Sequence, residues 1–480
     1  MFSSAPSSRN TPTCHADTWP LPRAISGVIT LYYQVVPALN EYASTCNDCV
    51  SPYSAVFVLW LPLNETHACN DWRPGVNIAF AVVKNIHRGG GIEKYTLELG
   101  TRLVARGHNV RVYSMRHYGE VLPEVNGMEI LTVPSMPLPQ FEKLSASMWG
   151  CFHAAFTSWA DVVHLHHTGP GMLGWLFRLR NTPALIQYHG LEWKRSRWGA
   201  IGRSVLKGLE RWSVLCNTEF SAVSRQQCDY FQQTYHVTPR YIPTGADVHP
   251  RTPPQEIVRL GLVPGRYVLF ASRLVREKGA QYLIPAFRRL HTDCKLVIAG
   301  DVPSESAYKE ELLMLADGDP RIIFPGFVEG RLLDELFSHA LVYVQPSEIE
   351  GLSIALLEAM SYGLCCLVSD IPENREAIGD CGISFSNGDV DDLAAKLADL
   401  VMTDGAAAQL SAKAIARVQK EFSWDTIADE FEEYYASLLP VTVPAPVRPV
   451  ASLPAQSAAR HAYPYPPKVK RTRLGHIASE

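Results

Sequence analysis

From residue 76 onward, apolar runs alternate with stretches of helical periodicity, and after a proline-rich connector the alternation begins again. Residues 76–83 are apolar over nearly their whole length, as a strand must be when helices cover both faces of its sheet. Gly89, Gly90 and Gly91 follow, then 92–106 with apolar residues at helical spacing, closed by Gly107 and His108. Residues 109–113, 129–133, 161–166 and 184–189 read as further strands. Beyond the connector 250–254 a second series begins, with strand-like runs at 267–271, 295–299, 321–324, 341–344, 365–368 and 382–385. Helical stretches such as 280–290 and 356–362 lie between them. The alternation predicts an α/β chain with two Rossmann-like, doubly wound domains facing each other across a cleft. Ligands then meet the carboxyl ends of the strands, so residues just past each strand are the candidates for chemistry.

Both ends fall outside this pattern. Residues 1–75 hold no lysine, 3 arginines against 5 acids, and 4 of the 11 cysteines, with no sustained periodicity. They are read as an N-terminal extension of unassigned fold. Residues 441–480 are rich in proline and alanine, with 6 Lys+Arg against the single Glu480, and read as a disordered basic tail. Between them, 365 residues carry 35 Lys+Arg against 42 Asp+Glu, so the middle is acidic although the whole chain carries only −4. Dividing 480 residues by about 150 suggests three domains. The pattern instead predicts two, at 76–249 and 255–421, followed by a helix at 422–440.

At 47% hydrophobic and 19% charged residues, the chain is not collagen-like, coiled-coil or broadly disordered. Its acidic balance speaks against a nucleic-acid partner. No run reaches the ~20 apolar residues of a membrane-spanning helix, and the N-terminus lacks a signal-peptide pattern. Scattered cysteines in odd number fit a reducing compartment, which makes the cytoplasm the expected location. Cys46-x-x-Cys49 with His67 and Cys69 has an irregular second half, and no metal is assigned.

A dehydrogenase fingerprint wants G-x-G-x-x-G directly after the first strand and an acid ending the second. Here the glycines are contiguous, six residues past Val83, and Ser114 follows the second strand, so nicotinamide binding is not expected. A glycine loop opening a helix still offers backbone N–H groups to an anion. In the second half, Arg273 and Lys278 follow the strand 267–271 and can neutralise a diphosphate. Glu350-Gly351-Leu352-Ser353 and, eight residues on, Glu358 form the next element. Glu350 is read in a loop after the strand 341–344 and residues 351–353 as a helix start able to bind phosphate or sugar oxygens, with the two carboxylates near one face of a continuous helix. Each carboxylate suits a pair of vicinal hydroxyls. In the first half, His189 ends a strand and can donate to a sugar hydroxyl or stabilise charge. His164 is expected to face the core, with His166 and His167 approaching the cleft.

Together these residues resemble the family 4 glycosyltransferases of GT-B fold over about 76–439. The motifs that carry the likeness are Gly90-Gly-Ile-Glu93, Asp161-Val-Val-His-Leu-His166, His189-Gly190, Ser221-Ala-Val-Ser224, Arg273…Lys278-Gly279, Phe324-Pro-Gly-Phe-Val328 and the two-glutamate element. The stretch 189–198 is similar to a subgroup with rhamnosyltransferases of surface-polysaccharide synthesis. The resemblance implies retaining transfer from a nucleotide-sugar co-substrate, with no cofactor and no metal. It also implies that Gly90 and Gly91 approach the diphosphate or acceptor, while Arg273 and Lys278 neutralise the diphosphate. Glu350 and the backbone of Gly351, Leu352 and Ser353 would hold the sugar, Glu358 the ribose, and Val328 would lie near the base. His189 would contact the sugar near the reacting carbon. Ser272 and Thr244 depart from the family's usual glycine and asparagine.

The expected acceptor is a glycan or a lipid-linked glycan on the first domain. Lys194, Arg195, Arg197, Arg203, Lys207 and Arg211 sit on or before an amphipathic helix with Ile201, Val205, Leu209 and Trp212. Such a segment suits either an anionic membrane at the inner face or a core-packed helix with a solvated cationic side. Two alternatives stand beside transfer: a sugar-nucleotide epimerase, and a non-catalytic nucleotide-sugar-binding scaffold.

Overall fold

The computed structural model describes residues 75–86, 90–119, 122–136, 141–195, 197–301, 307–403, 405 and 410–440. The N-terminal extension up to residue 74, the basic tail, the Cys46–Cys69 pattern and Gly89 lie outside the described residues. The first sheet contains β1 (Asn77–Val83), β2 (Asn109–Met115), β3 (Glu124–Val125), β4 (Met128–Val133), β5 (Val162–His166), β6 (Ala184–Tyr188), β7 (Glu219–Ala222) and β8 (Arg240–Tyr241). Their order is β3-β4-β2-β1-β5-β6-β7-β8. Every neighbouring pair is parallel except the β3–β4 hairpin.

The second sheet contains β9 (Tyr267–Ala271), β10 (Lys295–Ala299), β11 (Ile322–Gly326), β12 (Val342–Gln345), β13 (Cys365–Ser369) and β14 (Ile383–Phe385). It is wholly parallel, in the order β11-β10-β9-β12-β13-β14. Counted from its own first strand this is the 3-2-1-4-5-6 order of a doubly wound fold, whose winding reverses between β9 and β12. In the first sheet the reversal falls between β1 and β5. These two switch points fix where the site must lie.

Both sheets are covered on both sides, which is why their strands read as unbroken apolar runs. On one side of the first sheet, Tyr95, Leu99 and Leu103 of helix Gly91–Ala105 pack against Ile78, Phe80, Val110 and Val112. On the other, helices Glu142–Phe156, Gly174–Leu179 and Ala200–Cys216 pack Ala146, Ala154, Phe177 and Val214 against Ala79, Ala81, Leu165 and Ile186.

The sequence left open which half the final helix would cover. Helix Trp424–Leu438 returns to the first sheet, placing Trp424, Ile427, Phe431 and Tyr435 in that core. Tyr95 meets Trp424 edge-on at 5.1 Å, and the His108 ring bonds Glu432 at 2.8 Å.

Three strands were not anticipated. β3 and β8 are two residues each, and β7 carries Glu219 and Ser221 in a four-residue run. The helix expected to start at Gly351 begins instead at Ile354, because Ser353 caps it and its Oγ accepts from the Leu356 N–H at 3.4 Å. Glu350 stands on the preceding loop, as expected, but with the helix beginning at Ile354 it does not share a helix face with Glu358.

Candidate active site

A small pocket opens between the two sheets, lined by Gly190, Leu191 and Arg195 from the first half and Arg273, Glu277, Lys278, Ile349 and Glu350 from the second. Its residues follow β6, β9 and β12, so the second half contributes from its switch point. Lys278 Nζ donates to Glu350 Oε1 at 2.5 Å, and both side chains are largely buried. The Arg273 guanidinium makes no hydrogen bond or ion pair among the described residues, while its backbone carbonyl accepts from the Val275 N–H at 3.0 Å. Burial and then the like charge of Arg195 push its pKa down. This guanidinium faces the pocket with its charge incompletely compensated, which is the condition for binding an anion.

Arg195 crosses the cleft. It donates to Glu192 at 2.9 Å on its own side and to Glu277 at 2.8 Å on the other. Against the burial of Glu192, the charges of Arg195, Lys143, His167 and Arg197 hold its carboxyl down at about 2. A second bridge joins Lys94, in helix Gly91–Ala105, to Glu358. Glu358 thus reaches the cleft with a cationic partner from the opposite half.

His189 lies one residue past β6, half-buried, next to the pocket-lining Gly190. The hydrogen-bond chain around it fixes its tautomer. Thr96 gives its hydroxyl proton to the Ile92 carbonyl at 2.9 Å, so the His166 Nε2–H must donate to Thr96 Oγ1 at 3.0 Å. His166 Nδ1 is then an acceptor, and the His189 Nε2–H donates to it at 3.0 Å. The remaining ring nitrogen of neutral His189, Nδ1, is left as an acceptor. The expectation that His189 donates to a sugar hydroxyl is thereby corrected: its proton is committed to His166. Burial, reinforced by His167 and His164, holds His189 well below the ordinary imidazole pKa.

His166 was expected to approach the cleft and is instead buried, on the same face as His164 because their positions on the strand differ by two. His164 accepts from the Tyr435 hydroxyl at 2.7 Å and donates to Gln187 at 3.0 Å. Burial pushes His164 down to about 3 and His166 well below its usual value. In the unfolded chain both protonate near pH 6.5. Their folded pKa values are depressed, so folding excludes these protons and stability falls as pH drops below 6.5. Each contributes a slope approaching about 1.4 kcal/mol per pH unit once its unfolded form is protonated. Denaturant unfolding at pH 7 and pH 5 should show a loss of several kcal/mol. Equal stability at both pH values would contradict the neutral buried pair.

The other expected site residues are placed as follows. Gly90 caps helix Gly91–Ala105, and a Cβ there would meet Glu93 Oε2 at 2.0 Å. Its smallness makes room for the Glu93 carboxylate, which accepts the Lys84 N–H at 3.1 Å. Gly91 has open space around it. Neither lines the pocket. Val328 follows β11 and packs against the core of the second half, also away from the pocket lining. Leu352 is buried, and its carbonyl accepts from Thr244 Oγ1 at 3.3 Å across the halves. Gly351 meets the first half even more closely, for a Cβ on it would lie 1.9 Å from the His189 carbonyl oxygen. The buried Gln227 stands beside this contact with neither amide atom partnered among the described residues.

Thr96, Lys94, Glu277 and Gln227 were missed in the sequence. Nothing in the local pattern marks them, since each matters through a partner far along the chain. Among the described residues, no group of three or more His, Cys, Asp or Glu side chains is set to hold a metal ion.

Two doubly wound sheets meeting at a cation-lined pocket are the architecture of a GT-B glycosyltransferase. The Anabaena protein HepE, in a crystal structure with UDP and glucose, shares the fold with a TM-score of 0.63 at 18% identity, over 75% of this chain and 100% of that one. The profile "Glycosyltransferase Family 4" matches residues 89–249, and "Glycosyl transferases group 1" matches 260–417. A D-inositol 3-phosphate glycosyltransferase of Xylanimonas cellulosilytica is 27% identical over 385 residues, 72% of this chain and 91% of the relative. An alpha-maltose-1-phosphate synthase of Mycobacterium tuberculosis is 30% identical over 310 residues, 58% of this chain and 79% of the relative. The chain belongs to the family 4 glycosyltransferases, and it is an enzyme of that class rather than an epimerase or a scaffold.

Proposed function

We propose that this enzyme transfers a hexose from a nucleotide sugar to a glycan or lipid-linked acceptor, with retention at the anomeric carbon and without a bound metal. The observation that carries the reading is Arg273, a pocket-lining cation with no ion-pair partner among the described residues, five residues before Lys278. Two fixed cations at a switch point supply the charge that a departing diphosphate demands. In the reaction the acceptor oxygen bonds to the anomeric carbon, the bond from that carbon to the diphosphate breaks, and the departing phosphate takes the acceptor proton.

The ion pairs give the donor groups their partners in advance. When a diphosphate takes Lys278, Glu350 is released to accept sugar hydroxyls. Displacement of Lys94 frees Glu358 for the ribose. Gly351, Leu352 and Ser353 would add backbone groups to the sugar side; Gly90 and Gly91, outside the pocket lining, are assigned to the acceptor or diphosphate, and Val328, packed on the second core, to the neighbourhood of the base. His189, with Nδ1 as acceptor, receives a hydroxyl of the sugar. HepE's complex with UDP and glucose supports a nucleotide-sugar donor. The expected location is the cytoplasm, at the inner membrane face.

The test is product analysis with an anomerically pure donor and EDTA-treated enzyme. Retained configuration and undiminished turnover are expected. An inverted product, or activity restored only by a divalent ion, would overturn the proposal.

A further inference from the structure

The helices on the far side of the first sheet expose an apolar face that no core requires. On Glu142–Phe156 the residues Leu144, Met148, Trp149, Phe152 and Phe156 are exposed, spaced by one, three or four positions along one side. Their opposite numbers Ala146, Gly150, Cys151 and Ala154 are the ones that meet the sheet. Trp175 and Leu179 are exposed on Gly174–Leu179, the latter at 72%. On Ala200–Cys216 the outward residues are Ile201, at 83%, Val205, Trp212 and Leu215. Of the stripe expected on that helix, Ile201, Val205 and Trp212 point outward together with its cations, while Leu209 is half-buried and Val214 packs in the core.

The three helices form one continuous layer. Trp212 Nε1 donates to the Met172 carbonyl at 3.2 Å, and Arg178 reaches the Leu215 carbonyl at 3.4 Å. Phe152 and Phe156 stack at 6.0 Å, with the Arg180 guanidinium 5.9 Å from the Phe156 ring.

The charge on this layer has one sign. Arg178, Arg180, Arg203, Lys207 and Arg211 are exposed on or beside it. Of the acids on these helices, Glu210 is buried and accepts from Tyr230 and Tyr235 at 2.7 and 2.8 Å, while the half-buried Glu142 accepts from Tyr118. A cationic face on an acidic chain, interleaved with tryptophan and phenylalanine, matches the interface of an anionic bilayer. There aromatic rings settle at headgroup depth and each Lys or Arg gains from the negative surface. The N-terminal end of Glu142–Phe156 also lies near the cleft, where Lys143 feels the charges of Glu192 and Glu93.

We propose that this face, centred on Trp149, Phe156, Leu179, Ile201 and Trp212, docks the enzyme on an anionic lipid bilayer. It deepens the reading of a lipid-linked acceptor and rests on it. The apolar residues enter the headgroup region and the arginines and Lys207 meet anionic headgroups. The sequence segment 194–211 supplies only part of the surface. Arg195 and Arg197 are both paired with Glu192, Arg197 remaining exposed, and the larger apolar share comes from Glu142–Phe156.

The test is flotation of the full chain with vesicles of phosphatidylglycerol and phosphatidylcholine, against phosphatidylcholine alone. Two variants accompany it: Trp149→Ser with Phe156→Ser, and Arg203→Glu with Lys207→Glu and Arg211→Glu. Hydrolysis of the nucleotide sugar in detergent-free buffer is followed as the fold and donor-site control. Expected are binding to anionic vesicles only, a loss of about tenfold or more in each variant, and unchanged donor hydrolysis. No binding by the parent chain, or equal binding by parent and both variants, overturns the docking face. A concentration-dependent dimer that the serine variant dissolves, without vesicle binding, also overturns it and makes the face an interface between copies. Vesicle binding with no transfer to any lipid-linked acceptor would instead leave the face standing and remove the proposed acceptor.

Discussion

Arg273→Ala lowers kcat by about a hundred- to a thousandfold and weakens donor binding far less. The asymmetry follows from when charge appears. In the ground state the diphosphate's charge is shared with the sugar ester and with water. As the anomeric bond breaks, a full extra negative charge collects on the phosphate next to the pocket cations. Lys278 enters that moment from a pair with Glu350 at 2.5 Å, so part of its field is already spent on the carboxylate. Arg273 has no such partner among the described residues, so its charge is not already spent on a carboxylate, although its side chain is open to solvent at the pocket. Steady-state kinetics with nucleoside diphosphate release as the readout, alongside donor affinity from calorimetry, checks this. Turnover equal to the parent with a raised KM would show uniform binding and would displace Arg273 from its catalytic role.

What the sequence disclosed follows from what each feature depends on. β9 and β10 are legible to the residue, because runs of five and four consecutive apolar residues (the latter after Lys295) between polar turns leave one way to be buried on both faces. β7 escapes because Glu219 and Ser221 break such a run, although Ser221-Ala-Val-Ser224 carries part of the family likeness. Arg273, Lys278 and Glu350 were legible since strand ends and loops follow from the same pattern. Their pairing was not: Lys94 lies 264 residues from Glu358, and Arg195 lies 82 from Glu277. Those contacts exist only once two independently wound halves have closed on each other. The basic segment shows the same limit from another side. Periodicity placed Ile201, Val205 and Trp212 on one stripe, but whether a stripe faces a core or the outside depends on what else covers the sheet.

Among the contacts between those halves, the tightest backbone approach is at Gly351, and Gly351→Ala destroys it. A Cβ at 351 would sit 1.9 Å from the His189 carbonyl oxygen and 3.3 Å from Gln227 Nε2. The first neighbour is main chain at the end of β6, so no side-chain rotation relieves it, and either the Glu350 loop or the whole second half must retreat. Overpacking of this kind costs about 1–3 kcal/mol in stability. The catalytic loss is larger, because a retreat of about 1 Å separates Glu350 from the His189 side of the cleft and costs about a hundredfold in kcat/KM. The two effects separate by measurement: the denaturation midpoint falls modestly while the rate falls steeply in protein that is still fully folded at the assay temperature. An alanine variant with parent-like rates would mean that the His189–Gly351 contact does not set the catalytic geometry. The retained acceptor at His189 Nδ1 would then lose its claim to a fixed place beside the sugar, since Thr96 and His166 orient the imidazole only relative to the first half.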